Sequence, residues 1–432
     1  MSSNNKSITK FSISFFIIFI GVFQLGLPLY ADFLLSLILS LIIKDFAIIF
    51  STSVLLVFSF YILGFFVKND TVHYRPNDKL MTHFNFYEPN EKVKMKMPYG
   101  DLGAMTAGND LYKSIHEPRF VEFITDRNGY RNKDEIVDAD FALIGDSFVV
   151  GNGTSQDSIL SENLSRSLDY KFVNLGYPGS PYDYEIIAKQ KLKLYGKKVK
   201  IFLFYFEGND FTNSHSAEPP KKFIFRKHIK ELESFKSKYL NLIYPKDHTL
   251  VRAIRRKGMS SYSKIQNFIK SKISSQNLEY KDQINKVKII KIGSKNIGFL
   301  QSYTDATNSK VLNAYKIKDN EVLKNIEAIF FIPTKFRVYN DIEKNLGFET
   351  LNNLYLDNCI PIINTTNELK KKASELVLND EYVFWRDDTH LNKFGIDVIS
   401  KLIKYYIDNF YNKYSKEDCS LRDLILKEKK FN

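Results

Sequence analysis

From residue 140 onward the chain alternates short apolar runs with segments whose apolar positions recur at helical spacing. The runs lie at 140–145, 171–175, 199–206, 328–333 and 359–363; helical patterns cover about 157–168, 183–195, 366–376 and 394–409. Continuous apolar runs of this length read as strands buried on both faces, and their alternation with helices predicts a parallel sheet covered on both sides. The expected fold class is therefore α/β, with about five parallel strands. The last helix carries the pattern most plainly, with Ile396, Ile399, Leu402, Ile403, Tyr406 and Ile407 on one face.

The N-terminal pattern is different. Residues 11–67 are almost continuously apolar, interrupted by Pro28, Asp32 and the pair Lys44-Asp45. Residues 46–67 carry no charge and are long enough to span a bilayer, and 11–31 is similar. The stretch 33–43 is short and spans only by borrowing its flanks or thinning the bilayer. No short apolar core with a small-residue cleavage site is visible, so 1–67 is expected to be retained as two or three transmembrane helices. Three crossings put Lys6, Lys10 and Lys44 on the cytoplasmic side and export the remainder; two crossings keep it inside, in agreement with Lys68, Arg75 and Lys79. Export is the favoured topology, and Asp32 is read as a loop residue beside Pro28 rather than a buried functional carboxylate.

Residues 68–138 are polar with scattered aromatics and turn signals such as Met97-Pro98-Tyr99-Gly100. They are expected to form a juxtamembrane linker and lead-in that passes into a few strands, and no chemistry is assigned to the stretch Phe123 to Asn132. Residues 139–432 form the sheet domain, interrupted by an insertion at 211–327. Its patterns around 226–242 and 248–273 are helical and basic, whereas Lys286 to Leu300 alternates like a short strand pair. Insertions at such a place form lids or substrate walls, or dock a membrane or partner.

Charge changes the picture only locally. The formal net charge is +13, and Lys221 to Lys272 alone holds fifteen Lys/Arg against three acidic residues. That block suits acidic head groups, an anionic glycan or nucleic acid, or is simply a solvated helical surface. The two cysteines, Cys359 and Cys419, lie far apart and lack metal-ligand spacing, which argues against a disulfide scaffold or a zinc site. No repeat or nucleotide-binding glycine fingerprint is present.

Candidate chemistry starts at Asp140-Phe-Ala-Leu-Ile-Gly145-Asp146-Ser147, where an apolar strand breaks at a glycine and delivers a serine to the carboxyl edge of the sheet. Ligands bind at that edge. Asn174-Leu-Gly176-Tyr-Pro-Gly179 and Gly208-Asn209-Asp210 each follow a predicted strand, and Asp387-Asp388-Thr389-His390 precedes the closing helix. A serine hydroxyl needs a base to become a nucleophile, and an imidazole held by a carboxylate supplies one. Asp387 and Asp388 both stand within reach of His390 by spacing.

These four stretches, over roughly residues 138–410, resemble the four blocks of the SGNH (GDSL-type) hydrolase family in the family's order. The resemblance implies a flavodoxin-like parallel sheet, and together with the apolar segment 1–67 it points to a membrane-anchored member of the family. It implies Ser147 as nucleophile, His390 as base and Asp387, three residues before the histidine, as its acid. Ser147, Gly179 and Asn209 are the implied oxyanion donors, with Gly179 preferred to Gly176. The expected activity is a serine esterase acting on O-acyl, foremost O-acetyl, esters of a cell-surface glycan or lipid. An O-acyltransferase using the same residues and a non-catalytic binding scaffold are the rivals. No cofactor, metal or nucleic-acid partner is expected, Trp385 is read as a core anchor, and the oligomeric state is left open.

Overall fold

The structure is a computed structural model that describes residues 75, 76, 80, 87–106, 110–195, 199–211, 286–309, 313–340, 342, 344–411, 413 and 419–428. All of them fall within one compact unit, His73–Phe225 with Tyr280–Asn432. The apolar segment 1–67 and the basic patterns at 226–242 and 248–273 lie outside the described residues. Among those described, no helix is long and apolar enough to cross a membrane.

The chain enters through an antiparallel ribbon, β1 (Lys92–Met97) and β2 (Arg119–Ile124), with the short helix α1 (Asp101–Thr106) between its strands. It continues as β3 (Phe141–Ile144), α2 (Ser147–Val150), α3 (Leu160–Ser167), β4 (Phe172–Asn174), α4 (Pro181–Tyr195) and β5 (Lys200–Phe206). A hairpin of β6 (Val287–Ile292) and β7 (Lys295–Leu300) then leads into α5 (Gln301–Thr307), α6 (Asn320–Asn325), β8 (Ile326–Ile332) and α7 (Lys335–Tyr339). The last elements are α8 (Leu346–Leu354), β9 (Ile362–Asn364), α9 (Thr366–Val377), α10 (Lys393–Asn409) and α11 (Ser420–Lys427).

Five strands form one parallel sheet in the order β4-β3-β5-β8-β9. Counted by appearance in the sheet, the first strand lies between the second and third, which is the flavodoxin-like arrangement. The direction of winding reverses between β3 and β5, so a crevice opens beyond their carboxyl ends. Ser147 follows one of these strands and Asn209 the other.

Strand alternation supplies two cores. Phe141 and Leu143 join Phe202, Phe204 and Phe330 beneath α10, while Ala142 and Ile144 join Leu203 and Tyr205 beneath Ile187 and Ala188 of α4. Rings stack across strands, Phe141 on Phe202 at 4.7 Å and Phe204 on Phe330 at 5.1 Å between centroids. The six apolar positions of α10 anticipated from spacing are all buried. Asn392 caps that helix, accepting from the N–H groups of Phe394 at 2.9 Å and Gly395 at 3.3 Å, and so fixes where the chain turns just after His390.

Two regions differ from the sequence reading or add to it. Cys359 and Cys419 are joined as a disulfide, with Cα atoms 4.7 Å apart across 60 residues of sequence. Separation along the chain argued against such a bond, but α11 packs against β9 and closes the distance. The hairpin β6–β7 buttresses the Asp/His loop: Gly298 N–H donates to the Arg386 carbonyl at 2.9 Å, and the Tyr382 hydroxyl donates to the Ile292 carbonyl at 2.9 Å.

Candidate active site

Asp146 caps α2 through its side chain, accepting from Phe148 N–H at 2.9 Å. The chain therefore turns sharply at the end of β3 and sets Ser147 at the first helical position, where its own N–H has no intrahelical acceptor. Gly176 makes the turn possible from behind. A Cβ there would lie 2.4 Å from Val150 N, so the loop after β4 can press against α2 only without a side chain.

Ser147 Oγ lies 2.7 Å from His390 Nε2, and His390 Nδ1 lies 2.6 Å from Asp388 Oδ1. His390 and Asp388 are buried, whereas Ser147 is half-buried. Burial works to lower the His390 pKa, but Asp388, with Asp101 and Asp146 behind it, overrides that and leaves the imidazole above its ordinary value. Burial likewise opposes ionisation of Asp388; His390 and Arg119 outweigh it and hold the carboxyl well below the usual range.

The carboxylate hydrogen-bonded to His390 is thus Asp388 rather than the expected Asp387. Asp387 points away from the imidazole. One of its oxygens accepts from Arg119 Nη1 at 2.9 Å and the other from Glu117 N–H at 2.8 Å. Its carbonyl accepts from Leu102 and Gly103 N–H, at 3.0 and 3.1 Å. The start of α1 thus pins the backbone of Asp387, and its side chain is drawn to the cation beneath, leaving the next residue to meet the histidine. Gly100 permits the contact, since a Cβ there would lie 2.5 Å from both Cβ and Oδ2 of Asp388.

The expected oxyanion donors are placed unevenly. Asn209 comes to the site beside the nucleophile loop, its Nδ2 donating to Asp146 Oδ2 at 3.2 Å. Gly179 departs from expectation: its N–H donates to the Tyr177 carbonyl at 2.7 Å, because the Tyr177-Pro178-Gly179 turn folds back on itself. The Gly176 N–H is also taken, by Asn174 Oδ1 at 2.9 Å.

Several groups came from regions to which the sequence assigned no chemistry. Arg119, buried on β2, bridges both carboxylates, with Nη2 2.9 Å from Asp388 Oδ2 and Nη1 2.9 Å from Asp387 Oδ1. Its guanidinium lies 4.2 Å over the Trp385 ring, which gives that tryptophan an anchoring role. Lys335 donates to three carbonyls of the Asp/His loop, Trp385 at 2.7 Å, Arg386 at 3.0 Å and Asp388 at 3.1 Å. Burial pushes this lysine down to about 7 against the opposing pull of Asp387 and Asp388. Asp101 accepts from Thr389 N–H at 3.0 Å and from the Thr389 hydroxyl at 2.8 Å. Nothing short of tertiary contact singles out these three among the chain's 62 basic and 49 acidic residues.

Asp101, Asp388 and His390 each present a possible metal-ligand atom, all within 4.8 Å of one another. Both imidazole nitrogens are nevertheless committed, one to Asp388 and one to Ser147. The trio is therefore arranged to pass a proton rather than to surround a cation.

Residues 141–288 match the GDSL-like Lipase/Acylhydrolase family. The protein is accordingly an enzyme with a domain of the esterase or acylhydrolase type, and the parallel five-stranded sheet fits that fold. The matched span includes Ser147, Gly179 and Asn209 but ends well before Asp388 and His390. No curated protein matches the chain.

Proposed function

We propose that Ser147 attacks an O-acyl ester and is transiently acylated, with His390 as general base and Asp388 as the carboxylate that orients it. The observation carrying this reading is the continuous path from Ser147 Oγ through both imidazole nitrogens to Asp388, at 2.7 and 2.6 Å. As Oγ bonds to the carbonyl carbon, its proton moves to His390 Nε2 and the π pair moves onto the carbonyl oxygen. That oxyanion meets Ser147 N–H and the Asn209 amide. Collapse breaks the bond to the leaving alkoxide, which takes the proton from Nε2. Water then attacks the acyl carbon and gives a proton to the same nitrogen; collapse breaks the acyl–Oγ bond, Nε2 returns that proton to Ser147 Oγ, and the acid leaves.

The substrate is an O-acetyl or other short O-acyl ester on a cell-surface glycan or lipid. The enzyme is held at the membrane through its apolar N-terminal segment, with the catalytic unit outside the cytoplasm. The Cys359–Cys419 disulfide fits that placement, since such bonds persist in oxidising compartments. The test is release of acetate and longer alkanoates from aryl esters by the full chain in detergent, beside Ser147→Ala. Serine-dependent release without an acceptor supports the hydrolase. Turnover only after adding a glycan acceptor makes the enzyme an O-acyltransferase, and no serine-dependent chemistry in either assay overturns the reading.

A further inference from the structure

We propose that Asp101 is a second carboxylate of the relay, a positioning residue whose charge supports the imidazolium formed on His390 when Ser147 is acylated. The inference rests on the serine-esterase reading above and deepens it. Its ground is geometric. Asp101 Oδ2 stands 3.9 Å from His390 Nδ1, on the side of the ring that Asp388 already occupies at 2.6 Å. The two bonds from Thr389 hold the Asp101 carboxyl in that place from the residue adjoining the histidine. The Thr389 hydroxyl itself lies 3.4 Å from Nδ1, so acid, hydroxyl and imidazole share one small volume.

A carboxylate used only to cap the loop would not need to face another acid. Asp101 does face one. Burial, and then Asp388 beside it, push its pKa up to about 6, while His390 and Thr389 act in the opposite direction. The other groups acting on this corner are Lys335 at the start of α7, Tyr303 on α5, Arg119 behind Asp388, and Asp146, which acts on His390. Two carboxyls so close resist ionising together unless a cation joins them. The cation that appears during the reaction is the imidazolium itself. Proton transfer from Ser147 to His390 therefore creates the charge that makes the second carboxylate favourable.

The experiment compares kcat/KM for an aryl ester against pH in the full-length enzyme and in Asp101→Asn, which keeps an oxygen for Thr389 but loses the charge. The rate of Ser147 labelling by a fluorophosphonate gives a second profile that does not depend on substrate choice. In Asp101→Asn the acid limb should move to lower pH by up to about one unit. The plateau should fall by no more than roughly tenfold, the rate equivalent of one unit of coupling. A limb unmoved in Asp101→Asn overturns the proposal and leaves Asp101 as a cap for Thr389.

A wild-type measurement stands apart from folding of the variants. The imidazole proton resonances of His390 should titrate in two steps, one of them tracking the Asp101 carboxyl, and a single-step titration overturns the proposal. Loss of all Ser147-dependent labelling in the wild type is a different outcome, and it removes the serine-esterase reading itself.

Discussion

The two halves of the candidate site are built by different means. The nucleophile half consists of Ser147 and Asn209 at the ends of β3 and β5, held by strand ends, a helix cap and a glycine pressed against backbone. The half that carries the acid and the base is a loop pinned from below by side chains remote in sequence. Arg119 reaches two carboxylates, Lys335 reaches three carbonyls, and α1 donates to a fourth. Backbone geometry follows from a few neighbouring residues and so leaves a local motif. A buried ionic net is assembled from separate elements, and its members carry no motif at all.

The comparison is tested hardest at the nucleophile. Ser147→Ala should lower ester turnover on the order of a millionfold with the fold retained, as judged by near-ultraviolet circular dichroism. Substantial residual turnover would break the nucleophile half. Next come the two adjacent acids. Asp388→Asn should cost on the order of ten-thousandfold in kcat, because the amide cannot hold the imidazole in the required tautomer. Asp387→Asn should leave most of kcat and instead lower stability. The reverse pattern in steady-state kinetics would return the orienting role to Asp387.

The ionic net predicts a stability effect where the nucleophile half predicts none. Arg119→Met leaves two buried carboxylates without their cation and should cost about 3–5 kcal/mol in urea unfolding. An unchanged midpoint would mean the net does not hold the loop. The smallest effect concerns pH. His390 acts as a base only when neutral, and its pKa is raised, so activity is lost as pH falls through that raised value. The acid limb of kcat/KM should accordingly lie above the ordinary imidazole value of 6.5. A limb below it would mean that burial outweighs the acids around the ring.

Much of the fold was legible because it rests on periodicity. All five strands of the main sheet, the strand pair within Lys286 to Leu300 and the face of α10 follow from apolar spacing alone. At the site, Ser147 and Asn209 were legible because they follow the ends of two adjacent parallel strands, and His390 because it stands just before the closing helix. The choice between Asp387 and Asp388 was not legible, since it depends on Arg119 and on the N–H groups of Leu102 and Gly103, which lie more than two hundred residues away along the chain. Residues 68–138 read as a linker passing into a few strands, and β1 and β2 are such strands, but their polar positions carry no period that announces a partner. Arg119 and Asp101 acquire meaning only when the ribbon folds under the Asp/His loop. Gly179 shows the opposite limit, since family spacing assigned it a role while the local turn directs its N–H to Tyr177.

The disulfide has a topological consequence. Cys359 and Cys419 close a covalent ring that contains β9, α9, α10 and both Asp388 and His390, whereas Ser147 and Asn209 lie outside it. The relay therefore runs between a closed loop of chain and an open one. A single backbone cut inside the ring cannot free the histidine-bearing piece, and a nicked enzyme would migrate as one species until its thiols are reduced. The segment bearing the base is closed covalently at both ends, while the nucleophile lies outside that closure.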